Sequence, residues 1–363
     1  MTETTNYGLI GCGMMGQEHL RNIALLDNAR VVGVYEPDEN MRQAGAPFAP
    51  HAIFEPTLDD LLKREDIDCW VIVSPNHLHM QQLEEISKYR HRPILAEKPI
   101  FTNPNDLKRI ERFKIFYTAP IWVAMEYRYM PPIAALREQM GEATGGVKML
   151  TIREHRFPFL EKVGDWNRFN ANSGGTFVEK CCHFFDLMRL LVKSDPVRVM
   201  CSGGQAVNHL LETYAGESPD IWDHGYVIVD FENGLRSMLE LCMFAEGSKY
   251  QEEVAAIGAY GKIEALVPGP TRFWPEALGA PPTPKIVRSP RNGSGVSEHE
   301  VPVAPTLLEA GDHNGSTIYQ HQKFLEMMRK GTKPEVTLED GIWAVRMGHA
   351  AQQSAVEGVA ITF

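Results

Sequence analysis

Residues 7–21, YGLIGCGMMGQEHLR, constrain the fold of this chain more than any other segment. An apolar stretch leads through three glycines into a helical pattern, which predicts a strand, a tight turn and a helix. Gly11, Gly13 and Gly16 form the pattern G-x-G-x-x-G at that turn. The first glycine suits the turn, the second lets a pyrophosphate approach the backbone, and the third lets the helix pack on the strand. We therefore predict a dinucleotide site, with a ligand-free glycine turn as the alternative.

An acidic residue follows at the end of the next apolar stretch, VVGVYEPD. Glu36 lies about twenty residues past the last glycine, where a carboxylate accepts hydrogen bonds from a ribose diol. Because a carboxylate repels a 2′-phosphate, the sequence favours NAD over NADP as the cofactor.

Helix and strand patterns alternate up to about residue 130. LDDLLKRE and LEEISKY predict helices, whereas DCWVIVSP, PILAEKP and IFYTAPIWVAMEYRYM predict strands. This alternation is typical of a doubly wound α/β fold with a parallel sheet. Ligands bind such sheets beyond the carboxyl ends of the strands. The residues expected there are Pro75, Asn76, Lys98, Tyr127 and Arg128.

Length and charge limit the classes of protein. A chain of 363 residues is typical of two domains. A net charge of −11 argues against non-specific binding of nucleic acid, which needs a basic surface. No apolar stretch is long enough to span a bilayer, and no signal peptide is expected. None of the six cysteines forms C-x-x-C, so we predict a reducing, cytoplasmic location without a nucleic-acid or membrane partner.

The segment GGTFVEKCCHFFDLM contains two cysteines, a histidine and two carboxylates, a mixture that suits a metal site or a thiol nucleophile. On one predicted helix, Glu179, Cys182, His183 and Asp186 share a face. The adjacent cysteines diverge and cannot chelate one ion together, so no metal is predicted. Neighbouring helical residues also point apart, which argues against a Cys182–His183 dyad. For His183 alone, a buried core histidine is the alternative to a catalytic role.

Four sequence pieces together resemble the glucose–fructose oxidoreductase, inositol dehydrogenase and MocA family of NAD(P)-dependent enzymes. They are GCGMMGQEH, SPNHLH, AEKP and GGTFVEKCCHFFD, and their order and spacing fit over nearly the whole chain. The resemblance implies a Rossmann domain, assigned to residues 1–127, and an α/β domain with a large, open, mainly antiparallel sheet, assigned to residues 128–363. It also implies a homo-oligomer, dimer or tetramer, and a C-terminal helix that packs back on the first domain.

Alternating patterns in the second half agree with that sheet. KMLTIREHRF, VRVMCSGGQ, WDHGYVIVDFENGLRSMLELCMF and EVAAIGAYGKIEAL predict strands. TFVEKCCHFFDLMRLLV predicts one helix, and QHQKFLEMMRKG and TLEDGIWAVRMGHAAQQSAVEG predict closing helices. The proline- and glycine-rich segment between the last strand and these helices predicts a long surface excursion.

The resemblance assigns catalytic roles to Lys98, Glu179 and His183. Family members usually have aspartate where this chain has Glu179, so the carboxylate stands one methylene further from the backbone. Oxidation of a secondary alcohol needs a general base with a pKa near the working pH, and histidine is the natural candidate. Lys98 can stabilise the developing negative charge or act as the base, and Glu179 can orient one of the two.

Further residues complete the predicted site. The predicted cofactor contacts are Gly11, Cys12, Gly13, Met14, Met15, Gly16, Glu36, Ser74, Pro75, Asn76, His79, Glu97, Lys98, Arg128 and Trp166. The predicted substrate contacts are Lys98, Tyr127, Arg156, Lys162, Glu179, His183 and Tyr319. Trp166 and Tyr319 occupy places where relatives contact nicotinamide or substrate. Arg156 and Lys162 belong, together with Lys180, to a locally basic region, which predicts either a pocket for an anionic sugar or ordinary surface charge.

Three functions fit this sequence. The first is a dehydrogenase that oxidises a sugar or cyclitol and produces NADH. The second is a glycosidase that uses NAD to oxidise the C3 hydroxyl transiently. Its substrate would be an anionic sugar such as a sulfoquinovoside, and Tyr127, Tyr129 or His155 would be the second base. The third is a non-catalytic, NAD-sensing binding protein, which the presence of Lys98 and His183 argues against.

Overall fold

A parallel sheet forms the first part of the chain in the computed structural model, which describes residues 4–363. Residues 1–3, where the first predicted domain begins, lie outside the described residues. Within the described part, six strands pair in the order β3-β2-β1-β4-β5-β6, and every pair is parallel. The strands are β1 (Thr5–Ile10), β2 (Ala29–Tyr35), β3 (Ile53–Glu55), β4 (Cys69–Ile72), β5 (Ile94–Ala96) and β6 (Ile121–Val123).

Helices connect these strands, as the doubly wound prediction requires. They are α1 (Met14–Ala24), α2 (Glu39–Gly45), α3 (Leu58–Leu62), α4 (His79–Ile86) and α5 (Leu107–Phe116). All four residues of β4 are buried, because a parallel sheet covered by helices has no solvent-facing side. The Rossmann arrangement predicted for this part is confirmed.

A mixed sheet forms the second part. Among the described residues, its nine strands follow the order β14-β13-β12-β11-β7-β10-β9-β8-β15. β10 and β7 are parallel, and the other pairs are antiparallel. The strands are β7 (Val147–His155), β8 (Pro196–Gly204), β9 (His224–Phe231), β10 (Arg236–Cys242), β11 (Glu252–Gly258), β12 (Gly261–Val267), β13 (Lys285–Pro290), β14 (Ser297–Glu300) and β15 (Ile361–Thr362).

One face of this sheet is buried along its strands. In β9, for example, buried positions alternate with more accessible ones, the pattern expected when only one face meets the core. The predicted large, mainly antiparallel sheet is therefore confirmed. The remaining helices are α6 (Pro131–Thr144), α7 (Asn170–Ser173), α8 (Thr176–Glu179), α9 (Cys182–Val192), α10 (Pro305–Ala310), α11 (Ser316–Lys330) and α12 (Leu338–Glu357).

The chain divides into two compact units, each built from separate segments. The first unit comprises the described part of residues 1–126 with residues 161–174 and 317–345. The second unit comprises residues 127–160, 175–316 and 346–363. The predicted domain bounds, 1–127 and 128–363, stay a prediction. Across the described residues, no helix combines the length and apolar character that a membrane crossing requires.

Four predicted elements differ from the structure, and two of them lie in the first unit. IFYTAPIWVAMEYRYM is not one strand, since its first residues end α5 and only Ile121–Val123 forms β6. Ile110 and Phe113 bury one face of α5, so a helical period continues into this segment until the chain turns before Pro120. LDDLLKRE forms a helix only over Leu58–Leu62.

The other two differences lie in the second unit. TFVEKCCHFFDLMRLLV forms α8 and α9 instead of one helix, because the carbonyl of Thr176 accepts from both Lys180 N and Cys181 N and the hydrogen-bond register slips. Glu179 and His183 therefore belong to different helices. The predicted surface excursion also contains the hairpin of β13 and β14, which extends one edge of the sheet.

Candidate active site

The glycine loop has the geometry of a phosphate cradle. Gly11 has a φ of +99°, and a Cβ there would lie 2.7 Å from Ser74 N. A Cβ on Gly16 would lie 2.8 Å from the carbonyl oxygen of Gly11, so both positions accept only glycine without displacement. Among the described residues, and apart from Gly13 itself and its two chain neighbours, no atom lies within 4 Å of a Cβ built on Gly13. The loop thus leaves open space at the N-terminus of α1, where backbone N–H groups favour an anion.

Glu36 closes the other side of this loop. Its Oε2 accepts a hydrogen bond from Cys12 N at 2.6 Å, and its Oε1 accepts from Asp38 N at 2.9 Å. The carboxylate is 7% exposed and stands at the end of β2. A carboxylate fixed beside an open glycine loop fits the adenosine ribose of a dinucleotide.

Cys12, Met14 and Met15 are the other predicted cofactor contacts in this loop. Burial, with the charge of Glu36, raises the pKa of the Cys12 thiol to about 12, so this side chain stays protonated near neutral pH. Met14 begins α1 and is 39% exposed, and Met15 follows it as a half-buried residue.

The segment after β4 is held by side-chain contacts to backbone and side chains. Ser74 Oγ donates to Gln82 Oε1 at 2.6 Å, and the buried Asn76, which follows Pro75, begins a 3-10 turn. His79 is fully buried, with Nδ1 2.8 Å from the carbonyl oxygen of Pro99 and Nε2 2.9 Å from that of Ser74. Burial lowers the pKa of His79, although both contacts oppose this shift. His79 therefore links the segments after β4 and β5, and its contact with cofactor stays a prediction.

The AEKP segment is joined to α1 through Glu97. Glu97 Oε1 lies 2.9 Å from His19 Nε2, and His19 Nδ1 lies 2.8 Å from His321 Nε2 of α11. Burial would raise the pKa of Glu97, but the hydrogen bond and charge of His19, with the charge of Lys98, hold it below the usual value. Lys98 N donates to Glu97 Oε2 at 3.3 Å, so this network holds the backbone of the half-buried Lys98. The peptide bond between Lys98 and Pro99 is cis.

In the second unit, the predicted base His183 is part of an aromatic stack. The rings of Tyr127 and His183 are parallel within 6°, with centroids 4.1 Å apart. Both residues are 2% exposed. Lys180 Nζ donates to Tyr127 Oη at 2.6 Å. A histidine, a phenol and an amine are thus collected in one buried cluster.

Arg128 and Asp186 form a buried ion pair beside this stack. Arg128 Nε donates to Asp186 Oδ2 at 2.5 Å, and a second guanidinium nitrogen donates to Asp186 Oδ1. This two-point contact makes the Asp186 carboxylate the salt-bridge partner of Arg128. The contact of Arg128 with a cofactor stays a prediction.

Glu179 follows a backbone turn that requires glycine. Gly175 has a φ of +87°, and a Cβ there would lie 2.2 Å from Gln352 Nε2. Glu179 ends α8 and is 7% exposed. The Cys182 thiol donates to the carbonyl of Glu179 at 3.5 Å, and burial raises the pKa of the Cys181 thiol well above its usual value. Both thiols are buried, and the raised pKa of Cys181 argues against a thiolate nucleophile at that residue.

The predicted site residues are shared between the units. Lys98, Trp166, Lys162 and Tyr319 belong to the first unit, where the Trp166 ring lies 6.1 Å from that of His77. Tyr127, Arg156, Glu179 and His183 belong to the second. That Lys98 meets Glu179 and His183 stays a prediction.

Sequence patterns missed two acidic residues that the structure places among these side chains of the second unit, Glu154 and Glu252. Arg156 Nη1 lies 3.7 Å from Glu154 Oε1, and Lys180 Nζ lies 2.8 Å from the same oxygen. Glu252 faces Glu154 from the neighbouring strand β11. A glutamate at an inward position of an alternating strand was the available signal, because inward positions are normally apolar.

Two family models match most of the chain. The model described as "Oxidoreductase family, NAD-binding Rossmann fold" matches residues 5–114. The model described as "Oxidoreductase family, C-terminal alpha/beta domain" matches residues 141–363.

Individual proteins resemble the chain at lower identity. The uncharacterised oxidoreductase YrbE of Bacillus subtilis is 24% identical over 374 residues, which cover 100% of this chain and 97% of YrbE. An inositol 2-dehydrogenase of Rhizobium meliloti is 26% identical over 263 residues, or 72% of this chain and 76% of that protein. A solved structure of levoglucosan dehydrogenase in complex with NADH and levoglucosan has a TM-score of 0.81 at 18% identity and covers 99% of both chains. The last similarity concerns the fold.

Proposed function

The chain belongs to the glucose–fructose oxidoreductase, inositol dehydrogenase and MocA family of oxidoreductases, and from this membership we propose that it oxidises a secondary hydroxyl group of a sugar, sugar derivative or cyclitol. Bound NAD⁺ supplies the hydride acceptor. The observation that carries the proposal is the open glycine loop with the Glu36 carboxylate fixed beside it. A loop of this geometry binds a dinucleotide, and a dinucleotide-binding oxidoreductase transfers hydride.

The acid–base chemistry falls to His183 and Lys98 in this proposal. His183 takes the hydroxyl proton, since an imidazole titrates near neutral pH. Lys98 binds the same oxygen and stabilises the negative charge that develops on it. Glu179 orients Lys98 or His183 through a hydrogen bond to its carboxylate.

The substrate class is supported by the relatives. The similar proteins include an inositol 2-dehydrogenase and a levoglucosan dehydrogenase, whose named substrates are a cyclitol and an anhydrosugar. Both are polyhydroxylated rings. The basic side chains Arg156 and Lys162 favour negatively charged ligands, so anionic sugars are included in the proposed substrate class.

A substrate panel tests the proposal directly. The full-length protein and NAD⁺ are mixed with cyclitols, neutral sugars, anionic sugars and aryl glycosides, while NADH absorbance and aglycone release are followed together. We expect NADH to form in proportion to a ring polyol consumed. Release of aglycone without net NADH, but dependent on NAD⁺, would instead establish a redox-neutral glycosidase and overturn net oxidation.

Substitutions test the assigned residues. Lys98→Ala and His183→Ala should each lower kcat by about 100-fold or more, the usual contribution of a positioned acid–base group. NAD affinity, measured by fluorescence titration, should change little. Lys88→Ala and His51→Ala are matched controls, because both side chains are exposed on the first unit. If either site variant keeps the wild-type rate, its role in the reaction is refuted.

A further inference from the structure

Two buried glutamates in the second unit have no part in the reaction proposed above. Glu154 in β7 is 0% exposed and Glu252 in β11 is 2% exposed. The two residues are direct cross-strand partners of an antiparallel pair. Like charges at such positions destabilise a sheet, and a buried carboxylate is costly unless a partner compensates it. The pair therefore calls for compensation by cations or by a retained proton.

The structure provides both. Lys180 Nζ lies 2.8 Å from Glu154 Oε1, and Arg156 Nη1 lies 3.7 Å from that oxygen. Burial, with the charge of Glu154, raises the pKa of Glu252 to about 7, while Gln251 Nε2 donates to Glu252 Oε1 at 2.6 Å. Near neutral pH, Glu252 is therefore partly protonated, and its ionisation changes the charge of the cluster.

Burial lowers the pKa of Lys180, and Arg156 adds to this effect. The charges of Glu154 and Glu252 oppose the shift. The protonation state of Lys180 thus depends on the carboxyl groups of two neighbouring strands. A proton on Glu252 removes one of these negative charges, so the pKa of Lys180 responds to the protonation of Glu252.

Lys180 carries this sensitivity to the aromatic stack. Its Nζ donates to Tyr127 Oη at 2.6 Å, and the Tyr127 ring stacks on the His183 ring at 4.1 Å. The His313 ring also faces Tyr127, at 5.9 Å between centroids. An ammonium group that donates to a phenol oxygen favours the phenolate over the phenol. A phenolate is a strong base, so this contact prepares Tyr127 to accept a proton.

We propose that Tyr127 is a second acid–base residue of the site that contains His183, and that Lys180 and the Glu154–Glu252 pair control its protonation. The inference rests on the proposed function, which supplies the substrate hydroxyl. Lys180, Glu154 and Glu252 are positioning residues, since they act through Tyr127.

The proton transfer balances within the cluster. Before the reaction, Tyr127 and Lys180 form a phenolate–ammonium pair. His183 takes the proton of the substrate hydroxyl, as proposed above, and the electron pair of the O–H bond stays on the substrate oxygen. Tyr127 Oη then accepts the proton that the His183 imidazolium releases, and the electron pair of that N–H bond stays on the ring nitrogen. His183 is thereby neutral again for the next turnover. The Tyr127–Lys180 pair gains one positive charge, which the Glu154 carboxylate offsets at 2.8 Å from Nζ.

NMR of the full-length protein tests the inference without substrate. Tyrosines are labelled with ¹³C at Cζ, and Tyr127→Phe identifies one signal among the eleven tyrosines. The Tyr127 signal is then titrated with pH in wild-type protein, Lys180→Met, Lys180→Arg and Glu252→Gln. We expect ionisation of Tyr127 at higher pH in Lys180→Met, because the ammonium is lost, and close to wild type in Lys180→Arg, because a cation remains.

Glu252→Gln should shift the same ionisation in the opposite direction. The variant removes a negative charge that destabilises the phenolate form of Tyr127. The pKa of Tyr127 should therefore fall, and the residue should ionise at lower pH than in wild type. An unchanged titration in Lys180→Met overturns the role of Lys180 and with it the inference. An unchanged or raised titration in Glu252→Gln overturns control by the glutamate pair.

Kinetics complete the test. With a substrate found in the panel, Tyr127→Phe should lower kcat by about 100-fold or more and leave KM within about threefold. Wild-type kcat in Tyr127→Phe overturns the inference. If wild-type protein oxidises no compound in the panel, the proposed function fails, whereas the NMR titrations still decide whether Lys180 and Glu252 control Tyr127.

Discussion

At the scale of single residues, Glu36 carries a prediction about cofactor choice. Glu36→Ala should weaken NAD binding about 10- to 100-fold, because hydrogen bonds to a charged group contribute about 1.5–3 kcal/mol. NADP binding should weaken less or improve, since the repulsion of a 2′-phosphate is removed. Dissociation constants for both nucleotides measure the ratio. Glu36→Gln removes the charge at constant length, and a wild-type ratio in both variants would refute the assignment.

The same scale shows which residues a sequence can predict. The glycines and Glu36 follow one another in a local pattern, and the structure brings Glu36 against the loop at Cys12 N. Lys180 belongs to no pattern of this kind, because its partners come from a turn at Tyr127 and from two strands that contain Glu154 and Glu252. Sequence alone predicted only that Lys180 lies in a basic region. Strand pairing had to be known before its neighbours could be identified.

At the scale of secondary-structure elements, substitutions at the start of α1 distinguish effects on NAD affinity from effects on stability. Gly13→Ala adds a Cβ in open space at a residue with a negative φ, so the melting temperature should stay near wild type. The same methyl group fills the phosphate cradle, and NAD affinity should fall about tenfold or more. Gly16→Ala should lower both, because its Cβ would lie 2.8 Å from Gly11 O. Calorimetry and NAD titration measure the two effects, and tight NAD binding by Gly13→Ala would contradict the cradle.

Elements were predictable where one period dominates. The β1–α1–β2 unit follows from alternating apolar and helical patterns, and the structure agrees within a few residues. The break between α8 and α9 could not be predicted, because every residue of TFVEKCCHFFDLM is compatible with a helix and the slip in hydrogen bonding at Thr176 has no sequence marker. β13 and β14 were missed since proline and glycine around them resemble a loop.

At the scale of the whole molecule, both sheets were expected but their strand orders were not. The parallel sheet follows from the alternation of strands and helices. In the second sheet, the parallel pairing of β7 with β10 brings together strands separated by more than eighty residues. Patterns of burial describe which face of a strand is covered but not which strand lies beside it. The buried pairing of Glu154 with Glu252 depends on that order and is therefore visible only in the folded chain.

This pairing predicts a pH dependence of the stability of the whole chain. Burial, with Glu154, raises the pKa of Glu252 to about 7, above the value of an exposed carboxyl group. Between about pH 4.5 and 7 the folded state therefore holds more protons than the unfolded state, and the free energy of unfolding falls as pH rises. Glu252→Gln removes this cost, so the variant should gain stability over wild type at pH 8, on the order of 1–3 kcal/mol, and not at pH 4.

Chemical denaturation at both pH values measures the difference between variant and wild type. Lys180 and Arg156 face the same pair, and both remain in the two proteins compared. Glu253→Gln is the matched control, because the neighbouring side chain points to the other face of β11 and pairs with Arg153. It should not gain stability as pH rises. If Glu252→Gln is no more stable than wild type at pH 8, the buried carboxyl group carries its charge without cost, and its proton cannot regulate Lys180.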